Sequence, residues 1–157
     1  MTANTDNSVS AIYQRFNGEI SITTGKVNLI SSQLTFNPNS NSATLRFRLN
    51  QISPSQDQTI SFTLSNTIKS GTYDVNSPDT FQSASYIEHL RQDEFKFLPY
   101  QSDAVAGKLT IEIIDSGTGQ RTYNVTDFNI TVKANQNSSD TQTLNGKFIV
   151  TVDDVTF

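Results

Sequence analysis

Apolar and polar residues alternate along almost the whole sequence, and this pattern restricts the possible fold more than any other feature. The clearest cases are residues 45–49 and 60–64, where apolar side chains occupy every second position. A period of two buries one face of an extended segment and leaves the other in water, whereas a helix repeats about every 3.6 residues. We therefore predict an all-β protein of about nine or ten short strands.

The strands follow one another with polar turns between them, which is typical of antiparallel pairing. Residues 45–49 and 60–64 form a predicted hairpin with a loop longer than two residues. A second hairpin is predicted where Gly117 and Gly119 follow Asp115, because glycine supplies the positive φ angles of a tight turn. An antiparallel β-sandwich is our first choice of architecture, and a closed lipocalin-like barrel is the second.

The phase of the alternation changes once, near residue 126. Tyr123 and Val125 share one parity, whereas Phe128 and the apolar residues after it have the other. One extra residue would restore a single buried face. We therefore predict a β-bulge near Thr126 and Asp127.

One stretch allows a helix. Ser85 precedes Glu88 by three residues, which is the spacing of a capping box, and no glycine or proline interrupts the chain before Pro99. A short helix near residues 85–94 is one interpretation, and an extended segment with a bend is the other. Residues 1–9 are expected to form a disordered or extended amino-terminal tail, and residues 10–157 a single β-domain, because no linker or repeat divides them.

The composition narrows the possible partners. The chain has no cysteine, a net charge of −4 and only 17% charged residues, so Ser, Thr and Asn must cover much of the surface. The absence of cysteine excludes disulfides and thiolate chemistry. Without a basic cluster no nucleic acid partner is expected, and without an apolar run of about 18–20 residues no transmembrane segment is predicted. No cofactor is expected.

A resemblance to a known group starts at Thr59 and covers about two thirds of the chain. The segments that carry it are Ile60 to Leu64, Ser70 to Tyr73, Ala84 to Tyr86, Gly107 to Ile111, Val125 to Thr131 and Leu144 to Phe148. In this order they resemble small β-domains of bacterial cell-surface lipoproteins of uncharacterised function. The resemblance implies an extracellular or cell-envelope location, although the lipid-bearing cysteine of that group is missing here; the cytoplasm is left open.

Aromatic side chains outside the most regular strands are the candidates for ligand binding, because sugar rings stack on flat exposed groups. Together with the single histidine, these aromatic residues form the candidate set, which is Tyr73, Tyr86, His89, Phe97 and Tyr100. Packing in the core or at a strand edge is the competing interpretation. One histidine cannot form a histidine-based metal site, and the oxygen-rich loops 115–119 and 135–140 lack calcium-binding spacing, so no metal site is predicted.

Three functions are compatible with these features. The first is a non-catalytic binding or structural module that recognises a carbohydrate or protein surface. The second is a lipocalin-like carrier of a small apolar ligand. The third is a carboxylate-dependent hydrolase, for which the acids near strand ends are Glu112, Asp115, Asp127, Asp153 and Asp154. We expect the first, and therefore not an enzyme.

Overall fold

The computed structural model describes residues 16–23, 28–50, 58–91, 97–133 and 141–153. These residues form ten strands, and no helix occurs among them. The strands are β1 (Phe16–Thr23), β2 (Asn28–Ser31), β3 (Leu34–Pro38), β4 (Ser42–Asn50), β5 (Gln58–Ser65), β6 (Gly71–Asp74), β7 (Phe81–Arg91), β8 (Phe97–Asp115), β9 (Arg121–Lys133) and β10 (Thr141–Val152). The predictions of an all-β fold and of nine or ten strands are confirmed.

All strand pairs are antiparallel, and the order across the sheet is β2-β1-β10-β9-β8-β7-β5-β4-β3, with β6 added beside β8. The long strand β8 pairs with β7 through its first part and with β9 through its second part. At one end of the sheet, β2 contacts β4, which is next to the other end: Ser31 Oγ donates a hydrogen bond to the Arg48 carbonyl, and Arg48 N donates to Gln33 O at 2.9 Å. The sheet is therefore nearly closed and barrel-shaped, which agrees with either predicted architecture.

Phenylalanine rings fill the space between opposite walls. Phe62 on β5 lies 4.7 Å from Phe148 on β10 and 5.0 Å from Phe128 on β9, measured between ring centroids. Phe47 on β4 adds a contact to Phe148 at 5.3 Å. These distances are within the preferred range for aromatic pairs. Ring packing therefore joins the β4–β5 wall to the β9–β10 wall.

The predicted β-bulge is present. On β10, Gly146 pairs with Phe128 and Phe148 pairs with Val125, so two residues of β9, Thr126 and Asp127, lie opposite Lys147 alone. The extra residue returns Val125 and Phe128 to the same buried face, and both side chains have no exposed surface. The glycine turn is also confirmed, since φ is +73° at Gly117 and +87° at Gly119.

The helix interpretation for residues 85–94 is wrong as far as this segment is described, because residues 85–91 belong to strand β7. Ser85 pairs with Ser61 on one side and with Asp103 on the other. Hydrogen bonding to two neighbouring strands outweighs a local capping signal. The predicted tail over residues 1–9 lies outside the described residues.

Candidate functional site

A groove of about 440 Å³ lies on the outer face of the sheet, where β1, β10 and β9 run side by side. We call it the bulge groove. Its lining residues are Glu19, Ser21, Asn124, Val125, Thr126, Lys147, Phe148 and Ile149. They come from the beginning, the last third and the end of the described chain, so only the folded sheet assembles them.

The β-bulge explains why a groove forms on a surface that would otherwise be flat. Thr126 is the extra residue with respect to both neighbouring strands, because β8 also passes from the Thr110–Asp127 pair directly to the Ile111–Val125 pair. An extra residue bends its strand and increases the local twist. Val125 and Phe148, whose side chains are buried in the core, are also among the lining residues of the groove.

The groove combines hydrogen-bonding groups with an apolar contact. A cross-strand row on the outer face runs from Glu19 through Ile149 and Asn124 to Glu112. Asn124 Nδ2 donates to Glu112 Oε2 at 3.4 Å, which orients the carboxamide. Ile149 is 48% exposed and supplies the apolar contact.

Opposite charges balance within the groove. The lining contains one carboxylate, on Glu19, and one ammonium group, on Lys147. Lys147 pairs with Ser21 on β1, next to the position of Glu19. The formal charge of the lining is therefore zero, and a further carboxylate, on Glu112, lies just outside it and accepts from Asn124.

The residues predicted from the sequence are not brought together in one place. Tyr73 is half-buried on β6, where its backbone pairs with Leu109 and its hydroxyl donates to Lys69 O at 2.9 Å. Tyr86 is on β7 and is 1% exposed, so the expectation that it is an exposed platform is wrong. It shares the inward face of that strand with Ala84, because β7 is extended and not helical.

The other three predicted residues are described through their backbones alone. His89 pairs with Pro99, and Phe97 and Tyr100 pair with Arg91 and Glu88 across the same β7–β8 ladder. Their backbones therefore lie close together in one part of the sheet. This part is far from Leu109, the residue of β8 that pairs with Tyr73. Ligand binding by these residues stays a prediction.

Sequence reasoning did not select the residues of the bulge groove. The parity change at Thr126 was a usable signal, since bulges often occur next to functional sites. Nothing local to Glu19 or Ile149 indicates that their strands are neighbours. Among the residues that the structure describes, no three His, Cys, Asp or Glu side chains form a metal-binding group, and no helix is long and apolar enough to cross a membrane.

Comparisons with protein families, with curated proteins and with solved structures found no match to this chain.

Proposed function

We propose that this protein is a non-catalytic binding module that recognises a neutral glycan through the bulge groove. The observation that carries the proposal is the lining itself, in which a carboxylate, an ammonium group, a carboxamide and hydroxyls surround an exposed isoleucine. Small-molecule sites typically combine apolar surface with a few well-placed polar groups. The volume of about 440 Å³ is within the usual range of roughly 300–1,000 Å³.

A sugar matches this mixture of groups. Each hydroxyl of a sugar both donates and accepts, so Glu19 can accept from one hydroxyl while Lys147 donates to another. The carboxamide of Asn124 offers both a donor and an acceptor. The C–H face of the ring can pack on Ile149, which removes apolar surface from water.

The charges of the lining support a neutral ligand and a binding role. Because Glu19 and Lys147 are both in the lining and the Glu112 carboxylate lies beside Asn124, an acidic sugar would meet no excess of positive charge. Glycoside hydrolysis ordinarily requires two carboxyl groups about 5–10 Å apart. Glu19 is the single carboxylate of the lining, and the Glu112 carboxylate just outside it is engaged by the Asn124 side chain.

The packing of the interior supports a surface site over an internal one. A carrier would hold its ligand between the walls that Phe47, Phe62 and Phe148 join. Any such ligand would have to displace these rings. The extracellular or cell-envelope location expected from the sequence is compatible with a glycan partner and is part of this proposal.

The test starts with an array of neutral oligosaccharides and continues with calorimetric titration of the best-retained one. We expect Asn124→Ala and Lys147→Ala each to weaken binding about tenfold, corresponding to about 1.4 kcal/mol, because each removes hydrogen bonds to the ligand. The matched controls are Asn129→Ala, an exposed asparagine on the same strand β9, and Lys108→Ala, an exposed lysine on β8. The controls should bind like the unmodified protein.

Two outcomes would contradict the proposal. One is an array on which no neutral oligosaccharide is retained. The other is a retained oligosaccharide that binds the groove variants as tightly as it binds the controls.

A further inference from the structure

Three exposed isoleucine side chains lie on the outer face of the sheet, one in the lining of the bulge groove and one on each side of it. Ile149 on β10 lines the groove, Ile30 on β2 is 70% exposed, and Ile114 on β8 is 47% exposed. They are three of the five large hydrophobic residues that are exposed in the described part of the chain. We call them the isoleucine row.

The strand register sets the distance between the first two members of the row. Ile30 pairs with Ser21 on β1, and Ser21 pairs with Lys147 on β10. Ile149 is on the same face of β10, two residues further along that strand. The step from Ile30 to Ile149 therefore crosses two strand spacings and two residues, which corresponds to about 12 Å.

The second step of the row has the same size and direction as the first. Ile149 pairs with Asn124 on β9, and Thr122, two residues earlier on β9, pairs with Ile114 on β8. Because β9 is antiparallel to β10, an earlier residue of β9 lies in the same direction as a later residue of β10. The three isoleucines therefore lie on one line, about 24 Å from end to end.

The direction of this line matters because the sheet curves into a barrel. Ser31 on β2 contacts Arg48 on β4, where the barrel nearly closes. Direct strand partners lead from Ser31 to Ile111 on β8, and in the other direction from Arg48 to Gln101 on β8. A path around the barrel must therefore turn toward lower residue numbers of β8. The isoleucine row turns toward higher numbers and ends at Ile114, so it runs along the barrel, and a straight ligand can contact all three side chains.

Polar side chains separate the members of the row. Ser21 and Glu19 lie between the first two isoleucines, and Asn124 and Thr122 lie between the last two. Surfaces that bind proteins or membranes typically present a contiguous apolar patch, which this face lacks. In a sugar chain, by contrast, each ring carries an apolar C–H face and hydroxyls at its rim. An alternation of apolar and hydrogen-bonding groups along one line therefore suits a sugar chain.

We propose that the ligand of the bulge groove is an extended, neutral, β-1,4-linked glycan whose rings pack along the isoleucine row. This inference rests on the proposed function and adds the linkage and length of the glycan. A length of about 24 Å requires several rings, because one ring is too short to contact two members of the row. A β-1,4-linked chain is extended and follows a straight line, whereas an α-1,4-linked chain coils away from it. Each contact with an isoleucine removes apolar surface from water.

Calorimetric titration with oligosaccharides of different length and linkage tests the proposal. The probes are the β-1,4-linked hexasaccharides of glucose, mannose, xylose and N-acetylglucosamine, their disaccharides, and the α-1,4-linked maltohexaose. We expect at least one β-1,4-linked hexasaccharide to bind about tenfold more tightly than its disaccharide and than maltohexaose, because it reaches all three isoleucines. Hexasaccharides that bind no more tightly than the disaccharides, or no more tightly than maltohexaose, would overturn the proposal.

Ile30→Thr and Ile114→Thr test the two outer contacts without changing the lining of the groove. Threonine keeps the β-branching that suits a strand. We expect each variant to weaken the hexasaccharide about fivefold and to leave the disaccharide unchanged. The matched control is Val105→Thr, which removes an exposed apolar side chain of β8 outside the row and should change neither affinity.

The variants separate failure of this proposal from failure of the proposed function. A hexasaccharide that Asn124→Ala weakens but that Ile30→Thr and Ile114→Thr do not weaken would overturn the isoleucine row and leave the bulge groove as the glycan site. If no neutral oligosaccharide binds, both the proposed function and the isoleucine row are overturned.

Discussion

At the scale of single residues, burial of the Tyr123 side chain changes the ionisation of its hydroxyl. Its side chain has no exposed surface, and its hydroxyl makes no hydrogen bond among the described residues. The ring packs 6.1 Å from that of Phe36, and the guanidinium carbon of Arg121 lies 6.0 Å from its centroid. Burial raises the pKa of Tyr123 above its ordinary value of 10.0, outweighing the opposite effect of Arg121.

This raised pKa predicts an alkaline instability that Tyr123→Phe should reduce. Above pH 10 the unfolded tyrosine loses its proton while the folded one keeps it, so stability falls as pH rises from the unfolded pKa to the folded pKa. This one group lowers the free energy of unfolding by at most about 1.4 kcal/mol for each unit by which the pH rises. Urea unfolding at pH 7 and pH 11 measures it, and the variant should lose less stability between them.

At pH 7 the same variant should be as stable as the unmodified protein or more stable, because it removes a hydroxyl that has no partner. Tyr73→Phe is the matched control, since that hydroxyl donates to Lys69 O. Equal alkaline losses in Tyr123→Phe and in the unmodified protein would contradict the raised pKa.

At the scale of strands, what the sequence could reveal depended on whether the signal was local. The bulge was predictable because the parity of Val125 and Phe128 is a property of one strand. The β7 strand was not predictable in this way. The Ser85–Glu88 capping box is a local signal that favours a helix. The strand instead depends on the pairing of Ser85 with Ser61 and Asp103, which are distant in the sequence. Local periodicity was therefore enough to predict the fold class. For β7, where a local helix signal conflicted with strand pairing, the long-range pairing determined the structure.

Gly146 lies beside the bulge groove, at a point where β1 closely approaches β10. A Cβ atom there would overlap the Ser21 carbonyl oxygen and would lie 2.8 Å from Phe128 Cζ and 3.0 Å from Ile22 Cα. Two of these neighbours are backbone atoms, which have little room to move. We expect Gly146→Ala to lower the free energy of unfolding by about 1–3 kcal/mol, the usual penalty of overpacking.

Urea unfolding of Gly146→Ala beside Asn145→Ala checks this expectation. Asn145 is the preceding residue of β10 and is exposed, so its variant should keep the stability of the unmodified protein. A Gly146→Ala protein as stable as its control would mean that β1 and β10 are further apart than the structure shows.

At the scale of the whole molecule, the candidate site was beyond prediction because it depends on strand order. Glu19 and Ile149 are direct cross-strand partners although almost the entire chain separates them. Sequence patterns select aromatic residues such as Tyr86, but the sheet turns that side chain into the core. The candidate site is instead the bulge groove on the outer face, whose lining has no net formal charge. The interior is occupied by Phe62, Phe148 and their neighbours.

The most direct test of the account is a chemical-shift map of the whole chain on addition of the neutral oligosaccharide retained by the array. We expect the backbone shifts to concentrate in Glu19, Ser21 and residues 124–126 and 147–149, which line the bulge groove. Shifts confined to the β7–β8 ladder around His89 and Tyr100, or to the interior rings of Phe47 and Phe62, would contradict a binding site in the bulge groove.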